Sequence, residues 1–215
     1  MFSYYISMKI FPVSIFKRAI GTAAIAAGTY FLPAAFNLNA QERSLTQDTF
    51  SRVEKVPVSG TSDTTVLACA PSPKITVAGE KKLAAIVVDL SQNVLYHYND
   101  KGEAVAAYLV ASGKKSTPTD KGLRIVTHIE SYPYKSAPAG TKRRRNPGNY
   151  GPRIICLETV NPKTGARGKT GEFIHGNSNP KTLGKYASLG CIRMDNEVIK
   201  KLAREIKRGA FVLIK

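Results

Sequence analysis

Beyond Lys74 the chain is written in short runs of β-branched and aromatic residues cut by turn signals. Ala85-Ile86-Val87-Val88-Asp89-Leu90 and Val94-Leu95-Tyr96-His97-Tyr98 flank Ser91-Gln92-Asn93 and predict a hairpin. A third strand is expected over 104–111, after the turn at Asn99-Asp100-Lys101-Gly102, and a fourth over 123–129, after Asp120-Lys121-Gly122. Further strands fit 153–158, 172–175 and 210–214. Helical periodicity is persuasive in one place: Val198, Ile199, Leu202, Ala203 and Ile206 fall on one face of a helix near 196–207, with Asp195 or Asn196 as its cap and Gly209 as its stop. Lys200, Lys201 and Arg204 form its wet face. The pattern predicts a mainly β, antiparallel domain over 75–215 with this late helix packed on it, long enough to bury one core.

Upstream the pattern changes twice. Residues 1–40 hold Lys9, Lys17 and Arg18 but no acid, and 19–36 carry no charge. Basic residues ahead of an apolar run, with Leu38-Asn39-Ala40 offering a small residue for cleavage, predict an export signal peptide. The same run also reads as a retained membrane anchor, because its length approaches the roughly 20 residues that cross a bilayer. Residues 41–74 are rich in Ser, Thr, Asp and Pro, have no sustained apolar period, and read as a flexible linker. Val66-Leu67-Ala68-Cys69 loosely imitates a lipoprotein processing box, but no leader adjoins it.

Composition narrows the chemistry. An apolar share of 43% excludes a disordered chain or a multi-span membrane protein. There are 32 Lys and Arg against 15 Asp and Glu, a net charge of +17; the leader takes three of these and leaves +14 on the remainder. An exported basic protein meets anionic wall polymers, lipid head groups or carboxylate-bearing substrates, and no nucleic-acid-binding motif is recognisable. The clearest basic cluster, Lys142-Arg143-Arg144-Arg145, sits among Pro and Gly and reads in the simplest case as a solvated loop. Three Cys cannot build a disulfide scaffold, and the odd count leaves at least one thiol for chemistry.

His175, Ser188 and Cys191 are the candidates for that chemistry. His175 closes a short apolar run and is followed by Gly176; Cys191 lies in a loop just ahead of the helix, beside Gly190, which leaves the backbone open to a substrate carbonyl. A free thiol has a pKa near 8.5, so a neighbouring imidazole must take its proton during attack or hold it as an ion pair. The bland reading of the same residues is a buried packing Cys and a hydrogen-bonded strand-end His. Cys156 reads as strand packing, and its pairing with Cys69 in an oxidising compartment is left open. His97 and His128 read as sheet residues, no metal-ligand spacing is recognised, and neither metal nor cofactor is expected. Ser116 and Thr117 read as turn formers.

The run His175-Gly176-Asn177, followed after a spacer by Ser188-Leu189-Gly190-Cys191-Ile192-Arg193-Met194, resembles the signature of L,D-transpeptidase catalytic domains of the YkuD type. Upstream, 86–90, Gln92, the Tyr96 region, Gly113, Ser116-Thr117-Pro118 and Gly122 resemble that family's opening hairpin and Thr-Pro turn, so the resemblance spans about 80–215. It implies a β-sandwich or barrel-like fold and a reaction on the stem peptides of bacterial peptidoglycan. Cys191 would attack the carbonyl of the third stem residue and expel D-Ala, with His175 as base and then acid. Gly176, Asn177 and Ser188 are the matching candidates for orienting the imidazole, amides at Gly190 and Cys191 for the oxyanion, and Arg193 for bracing the loop or meeting a substrate carboxylate. The acceptor is an amine on a second stem, giving a 3→3 crosslink, a lysine of a wall-attached lipoprotein, or water. Carbapenems are expected to acylate the thiol.

Two departures stand out. Leu189 replaces the polar residue that many members carry before the Gly, and the Thr-Pro turn contains the charged pair Asp120-Lys121. The basic cluster and 146–152 fall where members vary a substrate-covering segment. The competing readings are an L,D-carboxypeptidase or crosslink hydrolase using the same thioester, and a non-catalytic basic module that grips the wall.

Overall fold

The computed structural model describes residues 56–177 and 179–215; the leader and the first part of the linker stretch, 41–55, lie outside the described residues. The described chain runs α1 (Thr64–Leu67), β1 (Lys74–Val77), β2 (Glu80–Asp89), β3 (Val94–Tyr98), β4 (Ala104–Leu109), β5 (Ser112–Gly113) and β6 (Gly122–Ser131). There follow α2 (Lys142–Arg145), a 3-10 turn (Pro147–Tyr150), β7 (Arg153–Val160), β8 (Arg167–His175), a second 3-10 turn (Pro180–Thr182), β9 (Tyr186–Ser188), β10 (Ile192–Arg193), α3 (Asn196–Glu205) and β11 (Phe211–Ile214). None of the described helices is long and apolar enough to cross a membrane.

One sheet in the order β10-β8-β7-β6-β11-β2-β3-β4, with β1 paired to β2, carries the domain; β5 and β9 form a separate pair. The expected β2–β3 hairpin is present, and Asn93 in its turn takes φ 51, a left-handed conformation that Asn tolerates. The antiparallel expectation is corrected at three places: β11 runs parallel to β2, β10 parallel to β8, and β5 parallel to β9. Hydrophobic period reports a strand's faces but not its direction, and direction here follows from the crossover through α3, which returns β11 between β6 and β2.

Both faces of the sheet are covered, which is why β3 is buried along its whole length. On one face Ile86, Val88, Leu95, Ile155, Ile174, Ile192, Met194 and Ile214 meet Val198, Ile199 and Leu202 of α3. Asp195 caps that helix, accepting from the amides of Glu197 (2.8 Å) and Val198 (3.2 Å). On the other face Val56, Val66, Leu67 and Ala70 lie over Ala84, Val87, Val94, Tyr96 and Ala107. The described part of the 41–74 stretch is therefore not a free linker. Thr61 bridges Ala107 through two backbone bonds, Asp63 caps α1, and the Tyr98 hydroxyl donates to the Pro71 carbonyl. A one-turn helix and extended chain have no long apolar period, so the pattern hid two well-buried anchors, Val56 and Val66. Strand β1 escaped for the same reason: its four residues are only half covered.

Leu202 is fully buried between α3 and the sheet. Leu202→Ala is expected to lower unfolding free energy by about 2–5 kcal/mol, read as an earlier urea midpoint at unchanged slope.

Candidate active site

The position of the two candidate side chains, Cys191 and His175, follows from strand register. In the parallel β8–β10 pair, Ile192 stands opposite Ile174 and Arg193 opposite His175. Ile192 and Ile174 point into the core, so alternation turns Cys191, Arg193, Phe173 and His175 to the other face. There Cys191, Arg193 and His175 border a cleft of about 360 Å³. His175, Cys191, Arg193 and the exposed Leu189 make one wall, and Lys142, Asn146, Asn149 and Tyr150 make the other.

The imidazole is fixed from behind. His175 Nδ1 donates to the carbonyl of Gly176 at 2.6 Å, which in the neutral ring leaves Nε2 with the lone pair, and the Tyr150 ring centroid lies 4.9 Å from that of His175. Burial pushes the His175 pKa down to about 4, and the Arg193 charge adds to this against the opposing carbonyls of Gly176 and Tyr150. Gly176 itself is boxed in: a Cβ there would fall 2.8 Å from Pro152 Cδ and 2.9 Å from Gly151 Cα, and would also strike Asn196 Oδ1.

Burial likewise pushes the Cys191 thiol up, with Glu172 adding to it, against an amide bond from Phe173 and the charge of Arg193. The thiol donates to the Gly171 carbonyl at 3.7 Å. A raised thiol and a lowered imidazole on one cleft wall are both neutral at rest.

A buttress holds the loop bearing Cys191. Ser188 Oγ donates to the Cys191 carbonyl (2.5 Å) and accepts from the Gly190 amide (3.0 Å), while Gly190 takes φ 114, which favours glycine. Behind it, Thr119 Oγ1 donates to the Gly190 carbonyl (2.7 Å) and accepts from the Gly113 amide (2.9 Å). Thr117 Oγ1 and the Lys114 amide both donate to the Ser188 carbonyl.

These contacts sort the sequence candidates. Of the three proposed to orient the imidazole, Gly176 does so through its carbonyl; Ser188 instead shapes the cysteine loop, and the Gly190 amide is engaged inside that loop by Ser188. Asn177 ties the end of β8 to α3, its amide donating to Asn196 Oδ1 (2.9 Å) and its side chain to Asn179 O and Thr182 Oγ1. Arg193 braces through its backbone, bonded both ways to Ala111, while its side chain borders the cleft with a buried Nε that has no partner among the described residues. The basic cluster is not merely a solvated loop. Arg143 grips Glu130 at 2.6 and 3.0 Å and lies 5.2 Å from the centroid of Phe173, which seats α2 against the sheet and puts Lys142 in the cleft wall.

Sequence reasoning missed Tyr150, Thr119, Asn196 and the Arg143–Glu130 pair. The Thr-Pro turn was a signal for Thr119, and Arg143, Tyr150 and Asn196 lie in segments the sequence did single out; what it could not show is their pairing with Glu130, His175 and Asn177. Side chains able to share a metal ion gather outside the cleft, at His128, Glu130 and Cys156, beside Phe173.

Comparison with known proteins identifies the family. The family model of the YkuD L,D-transpeptidase catalytic domain matches residues 84–214. The chain belongs to that family. Among L,D-transpeptidase relatives, YkuD of Bacillus licheniformis is 30% identical over 130 residues, covering 60% of this chain and 64% of that protein. YqjB of Bacillus subtilis is 35% identical over 112 residues, 50% of this chain and 57% of that protein. The match thus spans less than two thirds of either relative. Among solved structures, the catalytic domain of the Enterococcus faecium L,D-transpeptidase acylated by ertapenem is 23% identical with a TM-score of 0.41, covering 61% of this chain and 96% of that one.

The neutral resting pair makes a kinetic prediction. In a Cys69→Ser background, the rate of Cys191 alkylation by iodoacetamide, followed by peptide mass mapping, is expected to rise about tenfold per pH unit from pH 5 to 8, with no acid-side plateau. Iodoacetamide takes thiolate already formed and does not draw on His175 as a base, so a plateau in that window is the mark of a standing ion pair. Gly176→Ala displaces the carbonyl that holds Nδ1; it is expected to slow acylation of Cys191 at least tenfold while far-UV circular dichroism stays unchanged.

Proposed function

We propose that this L,D-transpeptidase domain is a cysteine acyltransferase that acylates itself with a peptidoglycan tetrapeptide stem, cleaving the bond between meso-diaminopimelate and D-Ala. The observation that carries this reading is the register of β8 against β10, which puts Cys191 and His175 on one cleft wall with Nδ1 already engaged by Gly176. Sγ attacks the stem carbonyl as Nε2 takes the thiol proton, and the amide of Cys191 receives the developing oxyanion. The imidazolium returns that proton to the departing amine of D-Ala, leaving a thioester. An acceptor amine on a second stem or on a protein then attacks the thioester, loses a proton to Nε2, and regenerates the thiol.

The cleft walls suit such a substrate. Arg193 and Lys142 bring positive charge to a space that an anionic stem peptide must enter, and Leu189 offers an apolar rim. The leader and this substrate together support an exported protein working in the periplasm or at the wall face of the inner membrane. A carbapenem, whose strained carbonyl imitates the scissile one, is taken by the same thiol.

Intact-protein mass spectrometry tests this. After incubation with a tetrapeptide muropeptide, or separately a carbapenem, the wild type is expected to gain one adduct and, with the muropeptide, to release D-Ala. Cys191→Ala is expected to lose both, and His175→Ala to acylate about 10²–10⁴-fold more slowly. Crosslinked product with an added amine acceptor identifies the transferase, and tripeptide alone identifies a carboxypeptidase. No adduct in a folded sample that still binds sacculi points to the wall-gripping module.

A further inference from the structure

We infer that His128, Glu130 and Cys156 form a binding site for a single soft divalent cation, of the zinc kind, on the sheet face beside the cleft wall. Three observations on these residues converge. The first is placement. The β6–β7 register sets His128 opposite Cys156 and Glu130 opposite Ile154, so all three side chains leave the sheet on one face. Their ligand atoms lie within 4.8 Å of one another.

The second is donor chemistry. Imidazole, carboxylate and thiolate are the ligand types of zinc sites that keep a fourth position open. His128 Nε2 and Glu130 Oε1 stand 3.1 Å apart, close to the roughly 3.3 Å edge of a tetrahedron with bonds of about 2.0–2.1 Å.

The third is the state of the imidazole. Thr127 Oγ1 has one proton and donates it to the Cys156 carbonyl at 3.2 Å. Toward His128 Nδ1, at 3.0 Å, it can therefore only accept. A ring proton on Nδ1 answers that acceptor, and a cation bound between Nε2 and Oε1, 3.1 Å apart, takes the place of the proton the two otherwise share. Thr127 is thus already the kind of outer partner that sets the tautomer of a metal-ligating histidine.

The surroundings permit the ion. The Glu130 side chain is 1% exposed; Arg143 Nε bonds Oε2 at 2.6 Å and Nη2 bonds Oε1 at 3.0 Å, which fixes Oε1 toward His128 as an outer partner fixes a ligating carboxylate, while the half-exposed His128 gives a route in. On binding, the Cys156 thiol becomes a thiolate bonded to the cation and its proton passes to solvent. No cleft residue takes part, so the site is not required for acylation; its one link to the cleft is Arg143, which shares Glu130 and anchors α2.

The test uses cobalt(II) as a spectroscopic probe on the full chain carrying Cys69→Ser and Cys191→Ala, where Cys156 is the only thiol. One equivalent is expected to give a thiolate-to-cobalt charge-transfer band and tetrahedral ligand-field absorption, both displaced by zinc. Adding His128→Gln, at a half-exposed position that leaves the core intact, is expected to weaken cobalt binding at least tenfold. It should also abolish the zinc-induced rise in Tm. Absence of the thiolate band, or a spectrum and affinity unchanged by His128→Gln, overturns the proposal.

Discussion

Two residues of parallel pairing, Ile192 and Arg193 against Ile174 and His175, set thiol and imidazole on one wall, and two residues of strand cannot hold themselves. The pairing is secured from three sides. Ile192 and Met194 sink into the core under α3, the backbone of Arg193 is bonded both ways to Ala111, and the Met194 amide donates to the His175 carbonyl. The turn containing Thr117 and Thr119 then braces the loop ahead of it. Little of this scaffold lines the cleft; it converts core packing into a fixed relation between sulfur and imidazole.

The opposite wall of the cleft is arranged on a different principle. It has no strand of its own and hangs on the buried Glu130, to which Arg143 is doubly bonded, and on a chain of edge-on aromatic contacts running from Tyr134 through Tyr150 to Phe173. Breaking one partner of an ion pair whose carboxylate is this buried leaves an uncompensated charge. The wall is therefore tied to the sheet at one strong point, while its outward residues, Lys142, Asn146 and Asn149, are free to differ without disturbing the anchor.

Much of this was legible in the sequence, for identifiable reasons. Val94–Tyr98 and the α3 face announce themselves because each obeys one period over its full length, and Asp195 caps where its side chain requires. His175 and Cys191 were legible because their neighbours, Gly176 and Gly190, are backbone requirements as much as chemical ones. What stayed hidden depends on pairing between distant segments. Strand direction, the docking of Val56 and Val66, and Tyr150 against His175 are properties of the closed sheet. The Gly190 amide was assigned to the oxyanion because sequence shows which amides are near a nucleophile but not which are already engaged, and Ser188 engages this one.

In the proposed reaction, the neutral state of Cys191 and His175 also bears on survival of the nucleophile between turnovers. Peroxide and other oxidants react with thiolates far faster than with thiols. A half-buried sulfur kept protonated until a carbonyl arrives presents little of the reactive form, so the arrangement that defers proton transfer also works as a chemical safety catch against irreversible oxidation.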